Sequence, residues 1–329
     1  MSRTFVEQEG QEGQEGVKGV RFRREGQFMS QLILYDKDKL LEPFGLINTG
    51  VICYMNSLLQ ALVSCTAFNR VVLENEEYMH KTKIGTVLFA FITCATNTPK
   101  DAGGFSQKIV TTLVEELKVR HPNMDYGRGQ DCASEGFRLL LELLNGPEIP
   151  LNDEVSVNPV SKIFQSKYKT NITCEKCNHK LESMEYRNQH IIHKYDNLAR
   201  DILISVDIPA DYKCDKCGEA GCSKKIVAIT RIPEILVITD AIILACRMFH
   251  QPTTINPTPP GFVFDGIHGA IKYDKIAQVE QSGSLDSGHY IAKGIRQNLE
   301  TYLFNDQSVS KIDKLSPTPN TFLTFYHVS

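Results

Sequence analysis

The sequence has little net charge, since 36 Lys and Arg side chains stand against 39 Asp and Glu, a formal net charge of −3. This balance gives no reason to propose nucleic acid or an anionic membrane as a partner, and we expect neither. The first ten residues contain no apolar run of the kind that directs secretion. The longest apolar stretch, 235–248, is interrupted by Asp240 and Arg247 and is too short to span a bilayer.

Cysteine is also sparse, with 10 residues in a chain of 329, too few for a disulfide scaffold. We therefore expect a protein of the cytoplasm or the nucleus, where cysteines serve as thiols, thiolates or metal ligands. The run 7–16, EQEGQEGQEG, is of low complexity and nearly free of apolar groups, so it cannot offset its ordering entropy. We therefore expect residues 1 to about 30 to form a disordered N-terminal tail.

The order of the predicted elements gives the fold class. Helical patterns dominate the first part of the chain, at 83–95, 105–118 and 130–144. After Pro150 the pattern changes to short β-rich runs bounded by turn residues, at 202–208, 226–229, 235–238 and 322–326. Helices followed by strands predict an α+β protein.

The stretch 44–65 contains the first candidate functional residue. Cys53 stands between a glycine-bearing turn and an apolar segment of helical period, in which Leu58 and Leu62 share one face. A thiol at the start of a helix lies at the positive end of the helix dipole, which favours the nucleophilic thiolate. The alternative is a buried cysteine of the core, which is the more common situation for a single cysteine on an apolar helix.

Two CxxC pairs separated by 36 residues predict a metal site. Cys174 and Cys177 form one pair, and Cys214 and Cys217 form the other. Two residues between cysteines allow both sulfur atoms to face one ion, and four thiolates complete the tetrahedron that structural Zn²⁺ prefers. We expect the nearby Cys222 to be a bystander, although it could also serve as an alternative ligand. Four reduced cysteines without metal remain the alternative.

A histidine region near the C-terminus supplies a partner for the nucleophile. His289 follows Gly288, and Asn305 and Asp306 come sixteen and seventeen residues later. A cysteine nucleophile needs a base, and the base needs a third group that fixes its tautomer. The order Cys, His, Asn/Asp therefore suits a thiol hydrolase, although His289 taken alone is compatible with a structural histidine.

Together these segments resemble the ubiquitin-specific protease family of cysteine deubiquitinases. Residues 45–60 read GLINTGVICYMNSLLQ, which is similar to the family's Cys box GLxNxGNTCYMNSxLQ. Val51 and Ile52 replace the usual Asn-Thr before the cysteine. Four further segments resemble family motifs: the GHY of the His box with Tyr302 and FND at 304–306, the QDAxEF helix at 130–137, the YxCxxC knuckle at 212–217, and the closing strand at 321–326.

The resemblance implies a role for each site residue. Cys53 would be the nucleophile, His289 the general base, and Asn305 the group that orients the base. Asn48 would donate to the oxyanion, and Asp306 would be a second acidic residue that supports the site. The implied reaction is hydrolysis of the isopeptide bond at the C-terminal glycine of ubiquitin through a thioester.

The same resemblance implies a papain-like cysteine protease fold with a helical thumb, a β palm and zinc-bearing fingers. We expect an N-terminal extension over 1–43 and a catalytic domain over 44–329, with the thumb at about 44–150, the fingers at about 165–235 and the palm in the remainder. One structural Zn²⁺ would be held by the four cysteines, without a catalytic cofactor. The expected partners are ubiquitin, ubiquitinated proteins and an activating protein.

Other functions fit parts of the sequence. A ubiquitin-binding scaffold with a weak or inactive site is one alternative, and a protease for another ubiquitin-like modifier is a second. A transglutaminase also uses Cys, His and an acidic residue, but the paired CxxC motifs argue against it. A zinc-finger nucleic-acid binder is disfavoured by the slightly acidic balance.

Overall fold

A computed structural model of the protein describes residues 43–97, 102–122, 132–145, 158–192, 212–240, 258–266, 269–283, 288–316 and 318–329. The disorder expected over 1–30 and the strand expected at 202–208 lie outside these residues, as does most of the N-terminal extension. None of the described helices combines the length and the hydropathy that a membrane span requires.

Helices come first, as the sequence predicts. Those expected at 83–95 and 105–118 are confirmed with slightly wider bounds, and the third begins at Ala133. The helices are α1 (Cys53–Val63), α2 (Thr66–Glu74), α3 (Glu76–Met79), α4 (Lys83–Asn97), α5 (Ala102–Arg120), α6 (Ala133–Leu144) and α7 (Pro159–Phe164).

Strands follow the helices and form two sheets. The strands are β1 (Ser166–Cys174), β2 (Lys180–Arg187), β3 (His190–Ile192), β4 (Ser223–Arg231), β5 (Ile235–Asp240), β6 (Gly261–Gly266), β7 (Gly269–Ser282), β8 (His289–Ile295), β9 (Thr301–Asn305), β10 (Ser308–Ile312) and β11 (Thr321–Val328). The small sheet has the order β2-β1-β4, and the large sheet has the order β10-β9-β8-β7-β11-β5-β3, with β6 paired to β7. The α+β class is confirmed.

Helix α1 is the centre of the main hydrophobic core. Every residue from Cys53 to Val63 is buried, and the helix packs against α6, β7, β8 and β9. A helix that is enclosed by other elements on all sides needs apolar side chains around most of its circumference, and residues 58–59 and 61–63 supply many of them.

The C-terminal end of α1 is fixed to β8 by a buried cation. Arg296 donates hydrogen bonds to the Gln60 carbonyl at 2.8 Å and to Ser64 Oγ at 2.6 Å, and its guanidinium lies over the Phe304 ring at 4.2 Å from the centroid. Burial lowers the pKa of Arg296 to about 9, so the group is still charged at neutral pH. A Cβ at Gly294 would collide with Ser64 Oγ, so only glycine permits this close approach.

Candidate active site and metal centre

Cys53 is the first residue of α1, as the sequence predicts, and its side chain is buried. The preceding residue, Ile52, makes no side-chain cap hydrogen bond to the helix. Ile52 packs against the core while Val51 is half exposed. The first-turn N–H groups are therefore not capped by this residue, and the positive end of the helix dipole lies at the thiol.

His289 and Asn305 face each other from two neighbouring strands. His289 begins β8 and Asn305 ends β9, and His289 Nε2 lies 2.7 Å from Asn305 Oδ1. A carboxamide oxygen can only accept a hydrogen bond, so the proton of the neutral imidazole must reside on Nε2. This tautomer leaves Nδ1 as the basic nitrogen of the ring.

The packing of α1 along β8 brings Cys53 and His289 to the same end of these elements. Ser64 lies against Gly294 at the far end. Cys53 lies eleven residues before Ser64, which is about 16 Å along a helix. His289 lies five residues before Gly294, which is also about 16 Å along a strand. Asn56, in the first turn of α1, donates a hydrogen bond to Asp306, which directly follows Asn305. This contact independently places the start of α1 beside the end of β9.

Asp306 connects the two halves of the site. Its Oδ2 accepts a hydrogen bond from Asn48 Nδ2 at 2.9 Å, and its Oδ1 accepts one from Asn56 Nδ2 at 2.9 Å. Asn56 Oδ1 in turn accepts from Ser106 Oγ. Each carboxylate oxygen therefore holds one carboxamide, and the orientation of Asn48 depends on Asp306.

A two-residue turn delivers Asp306 to this position. The turn joins β9 to β10, and Asp306 has a φ of 47°, in the left-handed region that Asp tolerates better than most residues. The Asp306 carbonyl accepts from the Leu46 N–H at 2.8 Å. A Cβ at Gly45 would collide with the Gln307 backbone, so the glycine of the Cys box is required for the Asn48 segment to dock on the turn.

The sequence predicts no role for Asn56 or Arg296. Asn56 stands within the Cys box, and a buried polar side chain on this helix is a signal that it has a specific partner. Arg296 carried no such signal, because an arginine after a strand is normally solvated. Gly136 was also unassigned, and a Cβ there would approach the Tyr54 ring to 3.2 Å, so this glycine allows α6 to pack against α1.

The four cysteines of the CxxC pairs form one cluster beside the small sheet. The sulfur atoms of Cys174, Cys177, Cys214 and Cys217 all lie within 4.8 Å of one another. The two pairs have the same backbone geometry: Asn178 N–H donates to the Cys174 carbonyl at 2.9 Å, and Gly218 N–H donates to the Cys214 carbonyl at 2.8 Å.

Asn178 and Gly218 also share a left-handed backbone, with φ values of 56° and 70°. The two residues that the sequence places after the pairs therefore make equivalent tight turns.

The spacing of these sulfur atoms fits a zinc ion. Zn–S bonds of about 2.3 Å in a tetrahedron require sulfur atoms about 3.8 Å apart. Cys174 and Cys217 are separated by 3.7 Å, and so are Cys177 and Cys214. Hydrogen bonds from the Cys177 backbone and the Cys222 side chain lower the pKa of Cys174 to about 6, which favours the thiolate form that binds metal. Desolvation and the neighbouring thiols raise the pKa of Cys177. The cluster could hold one Zn²⁺ ion.

Comparison with known proteins places this chain in a family. The sequence profile of the family described as Ubiquitin carboxyl-terminal hydrolase matches residues 44–241, more than half of the chain. The chain belongs to the ubiquitin carboxyl-terminal hydrolase family. This assignment agrees with the resemblance of the Cys box to ubiquitin-specific proteases.

A curated relative of this hydrolase family is Ubiquitin carboxyl-terminal hydrolase 36 of Drosophila ananassae, 25% identical over 308 residues. That match includes 86% of this chain but 28% of the relative, so the chain spans less than a third of the length of this relative.

Solved structures share the fold of this chain. Ubp8 in the SAGA DUB module with Sgf11, Sus1 and Sgf73, bound to ubiquitin aldehyde, matches with a TM-score of 0.65 and 19% identity, over 87% of this chain and 69% of that one. The same module bound to monoubiquitin matches with a TM-score of 0.65 and 18% identity, over 89% and 72%. The expected protease fold is therefore confirmed.

Proposed function

We propose that the protein is a thiol-dependent deubiquitinase, a cysteine-type ubiquitinyl hydrolase that cleaves the isopeptide bond after the C-terminal glycine of ubiquitin. The 2.7 Å contact of His289 Nε2 with Asn305 Oδ1, at the end of β8 where α1 begins with Cys53, is the observation that supports this most directly. Family membership supports the same conclusion.

In the proposed reaction Cys53 is the nucleophile. His289 Nδ1 accepts the thiol proton, and the Cys53 sulfur attacks the carbonyl carbon of the terminal glycine. The carbonyl becomes an oxyanion, then collapses and expels the lysine amine, which takes the proton from His289. A water molecule hydrolyses the resulting thioester, with His289 again as the base.

Two carboxamides support this chemistry from opposite sides. Asn305 holds the protonated Nε2 of His289 and so keeps Nδ1 as the base. Asn48 donates one N–H of its amide to Asp306, and its second N–H is the donor for the oxyanion, together with the backbone N–H of Cys53. Asp306 is a positioning residue in this scheme.

As part of the proposed function, the four-cysteine cluster holds one structural Zn²⁺. Four thiolates complete the coordination shell of the ion and leave no position for substrate, so the metal stabilises the fingers and takes no part in hydrolysis. The spacing of the sulfur atoms supports zinc over four unliganded thiols, because separate thiols have no reason to meet at tetrahedral distances.

Ubiquitin and ubiquitinated proteins are the proposed substrates, in the cytoplasm or the nucleus. The structures of the related Ubp8 module contain ubiquitin and three further subunits, which also supports a partner that activates this enzyme.

The test is a reaction with ubiquitin that carries a C-terminal electrophile in place of its carboxylate. We expect a covalent adduct on Cys53 and none in Cys53→Ala. Cys94→Ala is the matched control, because Cys94 is a free thiol on α4 that the mechanism does not use. A probe built on SUMO tests the alternative modifier. Folded protein that binds ubiquitin without forming an adduct would support the scaffold function instead.

A further inference from the structure

A fifth sulfur atom lies in the zinc cluster. Cys222 Sγ is 3.3 Å from Cys174 Sγ. It is not among the four sulfur atoms that all lie within 4.8 Å of one another. Cys222 therefore lies at one side of the cluster, beside Cys174.

The backbone holds Cys222 in this position. Its carbonyl accepts a hydrogen bond from the Glu175 N–H at 2.7 Å, which ties it to the first CxxC pair. The next residue, Ser223, pairs with Cys174 in the sheet, and Gly221 N–H donates to the Tyr212 carbonyl at 3.2 Å. The thiol is therefore held at the cluster by backbone hydrogen bonds to the first pair and to the residue two positions before Cys214.

Cys217 is the ligand that this fifth thiol can replace. Cys174 and Cys214 are buried and Cys177 is partly buried, whereas Cys217 is exposed and Cys222 is partly buried. The fourth corner of the tetrahedron is thus on the solvent side, where both Cys217 and Cys222 lie and where a side chain can turn without disturbing the core.

We propose that Cys222 is an alternative fourth zinc ligand. Zinc held by Cys174, Cys177 and Cys214 takes its last sulfur from either Cys217 or Cys222. In the exchange one Zn–S bond forms and one breaks, and the proton of the incoming Cys222 thiol moves to the departing Cys217 thiolate. Four thiolates remain on the metal throughout, so the site tolerates the loss or modification of its exposed ligand. This inference rests on the proposed zinc site.

The experiment uses the full chain as wild type, Cys217→Ser, Cys222→Ser and the double variant. Zinc per chain is measured after gel filtration, and alkylation of Cys222 by iodoacetamide is followed by peptide mass spectrometry. We expect about one zinc in wild type and in both single variants, and loss of zinc in the double variant. Alkylation of Cys222 should slow by at least about tenfold in Cys217→Ser, because a metal-bound thiolate is protected.

Cobalt(II) substitution gives a second measurement, since the intensity of the sulfur-to-metal charge-transfer band reports the number of thiolates. Equal band intensity in wild type and Cys217→Ser is expected. The inference is overturned if Cys217→Ser fails to fold or to retain zinc. It is also overturned if Cys217→Ser retains zinc while its Cys222 is alkylated at the wild-type rate. A double variant that retains as much zinc as Cys217→Ser would overturn it too. Wild type without zinc would contradict the proposed metal site itself.

Discussion

Asn48 donates a hydrogen bond to the carboxylate of Asp306 over 2.9 Å, although 258 residues separate them in the chain. The other oxygen of the same carboxylate holds Asn56, on the first turn of the helix that starts at Cys53. The Asp306 side chain thus fixes Asn48, the proposed oxyanion donor, relative to the helix that begins with Cys53, the proposed nucleophile. Asp306 also comes directly after Asn305, the residue that contacts His289.

This arrangement predicts that Asn48 and Asp306 act as a unit. Asn48→Ala should lower kcat on a fluorogenic ubiquitin amide by about 10²–10³, the cost of removing an oxyanion donor. Asp306→Ala should lower kcat by about tenfold or more, because Asn48 then loses the partner of its Nδ2 and is held only through its Oδ1, which accepts from the exposed Gly50 N–H. The double variant should be little worse than Asn48→Ala.

Alkylation of Cys53 by iodoacetamide provides the control, since it needs the thiol but no oxyanion donor, and its rate should change little in these variants. If the losses in kcat of the two single variants multiplied in the double variant, Asp306 would act independently of Asn48.

Asn305 is expected to act through its oxygen. Asn305→Asp keeps an acceptor for His289 Nε2, whereas Asn305→Leu has a similar volume and no acceptor. We expect Asn305→Leu to reduce kcat/KM by about 10²-fold or more, the usual contribution of a positioned base, and Asn305→Asp to retain most of the activity between pH 7 and 8. If the two variants lost the same activity, the hydrogen bond to His289 would not be what matters at this position.

Arg296 should contribute to stability through its buried hydrogen bonds. Arg296→Met leaves the Gln60 carbonyl and Ser64 Oγ without this donor, and we expect the free energy of unfolding to fall by about 2–3 kcal/mol.

The matched control is Arg138→Met on α6, where the guanidinium pairs with Glu135 and is about 41% exposed. That pair should contribute less than about 1 kcal/mol. Urea denaturation of both variants checks the difference, and similar losses would contradict the assignment of Arg296 as a structural clamp.

The buried His190 makes stability depend on pH. Ser166 Oγ lies 3.0 Å from Nε2 and Tyr168 Oη lies 3.0 Å from Nδ1. Burial, with a smaller contribution from the Arg187 charge, lowers the pKa of His190 to about 3. The unfolded chain takes up this proton below about pH 6.5, so the free energy of unfolding should fall by up to about 1.4 kcal/mol per pH unit from there toward pH 3.

Urea denaturation between pH 8 and 4 measures this slope. His190→Asn is neutral throughout and should make the slope shallower, whatever its effect at pH 8. A His190 ring that titrates in the NMR spectrum of the folded protein near pH 6 would contradict the prediction.

Zinc removal should affect the small sheet first. Cys214→Ser removes a buried ligand of the cluster, and we expect it to lose zinc and to destabilise residues 165–235, because the binding energy of a structural metal is also folding energy. Hydrogen exchange should show increased opening in β1, β2 and β4 and less change in α1 and β8. Wild-type protein that is well folded with clearly less than about one zinc per chain would rule out the four-ligand site.

Local sequence patterns were sufficient for much of this protein. The period of the apolar residues predicted α4 and α5, and the β-rich runs predicted β4, β5 and β11. The CxxC spacing predicted the four-sulfur cluster, because two residues between cysteines fix the local turn geometry. Each helix, each strand and each CxxC turn depends on neighbours in the chain, so the sequence alone determines them. The meeting of the two pairs, whose contacting cysteines are 43 and 37 residues apart, depends on the tertiary structure.

The tertiary structure decided which distant side chains meet. The roles of Asn56 and Asp306 depend on a turn between β9 and β10 that docks on the segment before Cys53. The place of Cys222 depends on the pairing of β1 with β4. No local pattern encodes these contacts, because each hydrogen bond joins residues whose separation is set by the packing of a helix on a sheet and by the register of the strands.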